Sequence, residues 1–176
     1  MIEIDKDTVL KPLTRDNAQD IFDVLNAERN YMRVWLPFVD KTHEVGNTQE
    51  AVHRMVESID KQYCIYHKEK FVGLIGFKGT DLENRKTEIG YWLSQSAQGR
   101  GIMVQSVVKL IGYAFQELEL NRVQIKVAVD NIRSRRIPEK LDFILEGIER
   151  DGELLVDNVF TDIAVYSLLK RDYKEK

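Results

Sequence analysis

The sequence predicts a mixed α/β fold of the α+β type: a twisted, mostly antiparallel sheet flanked by helices. Three observations carry this. Short runs rich in Val, Ile, Phe and Tyr follow one another from Tyr63 to Leu93 across turns too short for a crossover helix, which implies a meander. A long segment from Ile102 to about Leu118 repeats apolar residues at helical spacing. Strand-like and helix-like stretches then alternate to the end of the chain.

The first element is expected to be one strand from Glu3 to Pro12. Thr14 has the position of an N-cap, and Ala18, Ile21, Phe22 and Leu25 line one face of the helix that follows. Between Tyr31 and Phe38, Pro37 disfavours helix at Leu36, so a short helix or loop is expected there. Thr48 is read as the cap of a further helix carrying Val52, Met55, Val56 and Ile59. The meander comprises Tyr63 to His67, Phe71 to Lys78 and Lys86 to Leu93, with a charged turn at Lys68-Glu69-Lys70 and a polar one from Asp81 to Arg85. The Ile102–Leu118 helix turns Val104, Val107, Val108, Ile111 and Phe115 toward the sheet. A strand from Arg122 to Val129, a short helix after Asn131, and strands near Phe143–Arg150 and Asn158–Leu169 complete the order.

Composition limits what such a fold does. A chain of 176 residues, 43% of them hydrophobic, is long enough for one well-buried core, and a single domain over residues 1–176 is expected, its core from about 8 to 170. The formal net charge is −3 and the isoelectric point about 5.7, so no global basic field recruits nucleic acid or an anionic membrane. One cysteine, Cys64, excludes an internal disulfide and fits a reducing compartment. No apolar run approaches a membrane span, and the first residues lack the pattern of a signal peptide; a cytoplasmic location is expected. His43, His53 and His67 are isolated and lack metal-ligand spacing, so no metal site is expected.

The most specific stretch runs from Glu88 to Met103, a strand followed by a loop that enters the long helix. Gly99 and Gly101 tolerate positive φ, so backbone N–H groups from Arg100 to Met103 can converge on a diphosphate at the helix N-terminus, with Arg100 adding charge. It is not the dinucleotide fingerprint, because the third glycine of G-x-G-x-x-G would fall at Val104, and no G-x-x-x-x-G-K-[ST] occurs.

These residues resemble the GNAT N-acetyltransferases, whose diphosphate loop has the form Q/R-x-x-G-x-G/A. The window here is Ser96-Ala-Gln-Gly99-Arg-Gly101, with Ser96 departing from the pattern's first position. Glu88-Ile-Gly-Tyr-Trp-Leu93 followed by Gln98-Gly-Arg-Gly-Ile102 is similar to the RimJ/RimL branch, which acetylates N-termini of ribosomal proteins. A second block agrees: Asp130-Asn131-Ile-Arg-Ser134, then Glu139-Lys140-Leu-Asp-Phe143, is similar to the N-x-x-S/A-x-x-x-x-E-K-x-G-F segment. The resemblance implies a sheet splayed near its centre to admit coenzyme A, with acetyl-CoA as co-substrate. It implies binding residues at Ile89, Gly90, Tyr91, Trp92, Leu93, Gln98, Gly99, Arg100, Gly101, Ile102, Met103, Asn131 and Ser134. It is also compatible with a homodimer.

Amine acetylation needs a polarised thioester carbonyl, a neutral amine, and a proton for the departing thiolate. A backbone N–H of the Ile89–Leu93 strand serves the first, as the resemblance implies; otherwise Gly90 marks only a bulge or tight packing. The tyrosine that often acts as general acid in the family falls on Pro138 here. Ser134 becomes the candidate, since the ribosomal-type branch carries serine at that place; equally, Ser134 could simply cap the helix. Pro138 predicts a kink or a late helix start, and Asp142, where the family has glycine, is expected to take a left-handed conformation. For the base, Glu153 in Arg150-Asp-Gly-Glu153 matches a glutamate of the same branch. Asp151-Gly152 could instead be a turn with Glu153 solvated, and Glu88 is the alternative carboxylate.

Arg133, Arg135 and Arg136 either reach coenzyme phosphates or form an exposed helix face. Trp35, Leu36, Pro37 and Phe38 look like an acceptor-side lid or a packed loop. Cys64, in a predicted strand without a paired histidine, is not an acyl carrier. The leading expectation is direct acetyl transfer to a primary amine, the N-terminus of a ribosomal protein. The alternatives are a small amine such as a polyamine, amino acid or aminoglycoside, and an acyl-CoA sensor without catalysis.

Overall fold

The computed structural model describes residues 1–174. They form eight strands, β1 (Ile2–Asp5), β2 (Thr8–Pro12), β3 (Gln62–His67), β4 (Lys70–Asp81), β5 (Lys86–Leu93), β6 (Arg122–Ala128), β7 (Ile144–Leu154) and β8 (Phe160–Leu169). Five helices accompany them: α1 (Ala18–Ala27), α2 (Arg29–Met32), α3 (Val45–Glu57), α4 (Ile102–Gln116) and α5 (Ile132–Lys140). Strand order is β1-β2-β3-β4-β5-β6-β8-β7, with β5 and β6 parallel and β1–β2, β2–β3, β3–β4, β6–β8 and β7–β8 antiparallel. This is the mixed α/β, mostly antiparallel class that the sequence predicts. The contacts divide the chain into two compact units, residues 1–76 with 91–102 and residues 77–90 with 103–176, and β4 and β5 each pass from one into the other.

In the first unit, the strand expected over Glu3–Pro12 is a hairpin. Asp5 accepts the Asp7 N–H through its side chain at 2.8 Å, an Asx turn that ends one strand and begins the next. Thr14 closes a capping box with Asn17 ahead of α1, which buries Ala18, Ile21 and Leu25. The cap of α3 is Glu44, in a box with Asn47, and not Thr48, which lies one turn inside the helix. The periodicity left either start open, because Thr48 and Val52 share a face. Thr48 is buried, and its hydroxyl has no hydrogen-bond partner among the described residues. The β3–β4 turn has Lys68 and Glu69 both at positive φ, 49° and 62°, the backbone of a type I′ hairpin whose twist suits the flanking strands. Leu13, Ile21, Met32, Val39, Val52 and Phe71 close the core of this unit, with Tyr66, Phe71 and Trp92 meeting edge to face.

In the second unit, α4 buries Val107, Leu110, Ile111, Ala114 and Phe115 on one stripe, each large side chain contributing about 1.5–3 kcal/mol by removal from water. β6 alternates: Val123, Ile125 and Val127 are buried, while Arg122, Gln124 and Lys126 point to the other face. α5 starts at Ile132, directly after Asn131, and runs through Pro138 to Lys140, so the late start does not occur. Pro138 sits near the C-terminus, where its carbonyl accepts the Phe143 N–H at 3.0 Å, and Asp142 takes φ +63°. That is a Schellman close in which aspartate adopts the left-handed conformation expected of it, with Pro138 and Phe143 both buried. β7 is the edge strand and is exposed along its length.

Candidate active site

The loop between β5 and α4 belongs, through Ile102, to the first unit. Gly99 and Gly101 have φ of +74° and +76°, the left-handed region that glycine enters without a Cβ clash. A Cβ built on Gly99 would meet nothing within 4 Å, so this side of the loop is open. Gly99, Arg100 and Gly101 are exposed and Ile102 is buried, which aims the glycine backbone outward and anchors the start of α4. A diphosphate fits this arrangement: exposed peptide groups, a cationic side chain, and a helix N-terminus directly after them.

The frame behind the loop is also polar. Gln98 donates its side-chain amide to the Tyr31 hydroxyl and to the Leu93 carbonyl, the latter at 3.4 Å. Gln98 therefore holds the loop's shape through its side chain. Glu28, between α1 and α2, accepts from the Ser94 hydroxyl at 2.6 Å and from the Gln95 N–H at 2.7 Å. A Cβ on Gly73 would lie 2.4 Å from the Trp92 carbonyl oxygen, so β4 approaches β5 closely at that point.

In the second unit, the parallel register between β5 and β6 covers Lys86–Arg122, Thr87–Val123 and Glu88–Gln124, and stops there. Both strands continue, β5 to Leu93 and β6 to Ala128. The paired register thus ends at Glu88, one residue before the stretch where the resemblance places the donor. Ile89 is buried, and a Cβ on Gly90 would lie 2.7 Å from the Lys78 side chain, so Gly90 makes room for the lysine stem.

Lys78 donates to one oxygen of Glu88 at 2.9 Å and Gln124 to the other at 3.3 Å. The structure brings both carboxylate candidates into one field. Glu153 is held above its ordinary value by desolvation first; Glu88 raises it further and Lys78 opposes. Asp151-Gly152 is not a turn between strands. It is a bulge inside β7, where the register against β8 shifts between Glu149 and Glu153, Asp151 has φ +49°, and a Cβ on Gly152 would lie 2.7 Å from Ile163.

Asn131 caps α5, its side chain accepting the Ser134 N–H at 3.2 Å. The capping role open to Ser134 is thereby taken by Asn131, and Ser134 lies in the first turn of the helix. Of the three neighbouring arginines, Arg135 donates to the Tyr166 hydroxyl at 2.9 Å and to the Val129 carbonyl at 3.0 Å; Arg133 and Arg136 are exposed. Cys64 is wholly buried and its thiol is pushed up to about 12, chiefly by desolvation, so it stays protonated and unreactive. Glu28, Tyr31, Lys78 and Gln124 were not visible as site residues in the sequence; their partners lie far along the chain or on a neighbouring strand, and no local motif marks them.

A glycine cradle leading into a helix is the class of site that takes the diphosphate of a coenzyme. The domain family described as acetyltransferase (GNAT) domain matches residues 7–144. A Bacillus subtilis protein provisionally named as the ribosomal N-acetyltransferase YdaF is 32% identical, over 98% of this chain and 96% of its own. The ribosomal-protein-serine acetyltransferase of Escherichia coli is 28% identical, over 94% of each. A crystal structure of a protein assigned provisionally as an acetyltransferase superposes with a TM-score of 0.90 at 31% identity, covering 97% of both chains. The chain belongs to the GNAT acetyltransferase family. It is an N-acetyltransferase, and acetyl-CoA is its acetyl donor.

Proposed function

We propose that this enzyme acetylates the N-terminal α-amine of a ribosomal protein. The observation that carries the reading is the glycine cradle, where the positive φ of Gly99 and Gly101 and the open side of Gly99 turn peptide groups at the start of α4 toward a coenzyme diphosphate. Acetyl-CoA supplies an activated acyl group whose leaving thiolate needs a proton. The chain's own residues support the rest: Gly99, Arg100 and Gly101 for the diphosphate, the Ile89–Leu93 backbone for the carbonyl, Asn131 and Ser134 on the first turn of α5, and Glu153 to take the amine's proton. An α-amine, with a pKa near ~8, needs only modest help to become neutral. The names of the two relatives above favour a ribosomal acceptor.

On the same reading, the chain acts as a single catalytic domain, with β4 and β5 common to both compact units. It works in the cytoplasm, where it meets ribosomal proteins; no described helix is long and apolar enough to cross a membrane. A homodimer is supported by β7, whose exposed edge carries Ile144, Leu145, Ile148 and Leu154.

The test is coenzyme A release from acetyl-CoA against parallel panels of N-terminal ribosomal peptides and small amines, with acetyl-CoA binding recorded on the same sample. Turnover on the peptide panel is expected. Turnover confined to small amines overturns the acceptor, and binding without turnover on either panel makes the protein a sensor.

A further inference from the structure

Where α1 gives way to α2 stand two adjacent residues of opposite charge that reach in different directions, Glu28 between the helices and Arg29 the first residue of α2. The Glu28 carboxylate takes the Ser94 hydroxyl on one oxygen and the Gln95 N–H on the other, at 2.6 and 2.7 Å. It thereby fixes the turn Gln95–Ala97 that leads into the glycine loop. Tyr31, whose N–H bonds back to the Glu28 carbonyl at 3.0 Å, receives the Gln98 amide one step further on. Arg29 donates to the Val39 carbonyl at 2.5 Å and the Thr42 carbonyl at 2.6 Å, fixing the middle and the C-terminal side of the Pro37–Lys41 turn. Phe38, on that turn, is 46% exposed.

We infer that Glu28 is a positioning residue for the donor loop, holding the Ser94–Gln95 backbone from which Gly99 and Gly101 extend. This deepens the acetyltransferase reading and rests on it. The physical case is that a loop made of Gly99 and Gly101 has the most backbone freedom to lose on binding, so a fixed base beneath it lowers the cost of ordering it around a diphosphate. Charge-assisted hydrogen bonds to a hydroxyl and a peptide N–H are the strong kind suited to that role. Sign separates this role from a simple field effect. Glu28 is anionic, so removing its charge would improve an anion site electrostatically, whereas loss of positioning weakens it.

The experiment measures acetyl-CoA Kd by titration calorimetry, and KM for both substrates, for the wild-type protein, Glu28→Gln, Glu28→Ala, Ser94→Ala and the double variant Glu28→Ala/Ser94→Ala. Expected are a roughly tenfold weaker acetyl-CoA Kd for Glu28→Ala, a partial effect for Glu28→Gln, a weaker Kd for Ser94→Ala, and a double variant that loses less than the two single losses together, because the Glu28–Ser94 bond is common to both while Glu28 also takes the Gln95 N–H and the Ser94 hydroxyl also pairs with Ser96 at 2.8 Å. The rise should fall on the KM for acetyl-CoA more than on kcat. Tighter or unchanged acetyl-CoA binding in Glu28→Ala, or additive losses in the double variant, overturns the inference. If Glu28→Ala does not fold, Ser94→Ala alone decides, an unchanged Kd counting against. A wild-type protein that fails to bind acetyl-CoA overturns the functional reading instead, so the two failures are distinguishable.

Discussion

Asn131 accepts the backbone N–H of Ser134 through its side chain at 3.2 Å, so the asparagine and not the serine caps α5. Residues that the resemblance places together at the coenzyme are therefore also a structural pair. Asn131 satisfies one of the four helix N–H groups left without intrahelical partners, a role whose loss typically costs about 1 kcal/mol. Ser134 is not the cap, which separates the two in experiment. Ser134→Ala is expected to lower kcat on the order of 10²-fold, its hydroxyl supplying the thiolate's proton. Acetyl-CoA affinity should hold. Steady-state kinetics check this; an unchanged kcat removes Ser134 from the chemistry.

Glu153 offers a pH signature. Its carboxyl is held above the ordinary range by desolvation, with Glu88 adding to the effect. A base must be deprotonated to act, so kcat/KM should fall as pH drops through that raised value. The inflection should lie above the ~4.3 of an unperturbed glutamate. Glu153→Gln should remove this acidic limb and reduce the plateau by roughly 10²-fold or more. A wild-type profile with no acidic limb above that value, or a variant that keeps it, assigns the proton transfer elsewhere, with Glu88 the next carboxylate to test.

Much of this is legible in the sequence, and the exceptions share a cause. Gly99 and Gly101 announce their positive φ because backbone sterics are local and residue type reports them, while the left-handed turn of Asp142 follows from the glycine that the resemblance places there. The helices of Ala18–Leu25 and Ile102–Phe115 followed from periodicity. The hairpin at Asp5–Asp7 was missed because its turn is made by one side chain bonding two residues on, inside an otherwise strand-like run. The cap of α3 was misplaced by one turn, since the helical repeat cannot tell Thr48 from Glu44 as a start. Glu28 meets Ser94 across 66 positions of sequence, and Glu153 acquires its electrostatic neighbours Lys78 and Glu88 only through folding. No spacing rule reaches contacts of that range.

The Arg122–Glu146 pair predicts acid sensitivity of stability. Arg122 grips both carboxylate oxygens at 2.5 and 2.6 Å, and Ser167 adds a third bond at 2.7 Å. The Arg122 bond is the main cause that holds Glu146 at about 2, below its ordinary value. With the folded value depressed, the unfolded chain binds more protons between about 2 and the unfolded value near ~4.3. The stabilisation is therefore complete above that window and lost as pH falls through it. Glu146 is partly exposed, so the effect is screened: Glu146→Gln is expected to lower Tm by roughly 2 °C at neutral pH and to flatten the fall of Tm below pH ~4. Melts from pH 2 to 7 test it; parallel curves for the two proteins would show that the pair is neutral.

Gly90 links packing to that chemistry. A Cβ there would sit 2.7 Å from Cδ of Lys78, the flexible stem whose ammonium pairs with Glu88 at 2.9 Å. Gly90→Ala should fold, because the lysine can swing away, but in moving it takes its charge from Glu88 and Glu153. Lys78 is the one cause opposing the upward shift of Glu153, so withdrawing it should raise that value further. The acidic limb of kcat/KM is then expected at higher pH in Gly90→Ala than in the wild-type enzyme. Lys78→Met should shift it the same way without adding a methyl group beside the donor strand. The position of the limb, not the height of the plateau, is the measurement that matters, since a Cβ on β5 can also hinder the coenzyme. A limb that stays in place in both variants would mean that the charge governing the reaction is not Glu153.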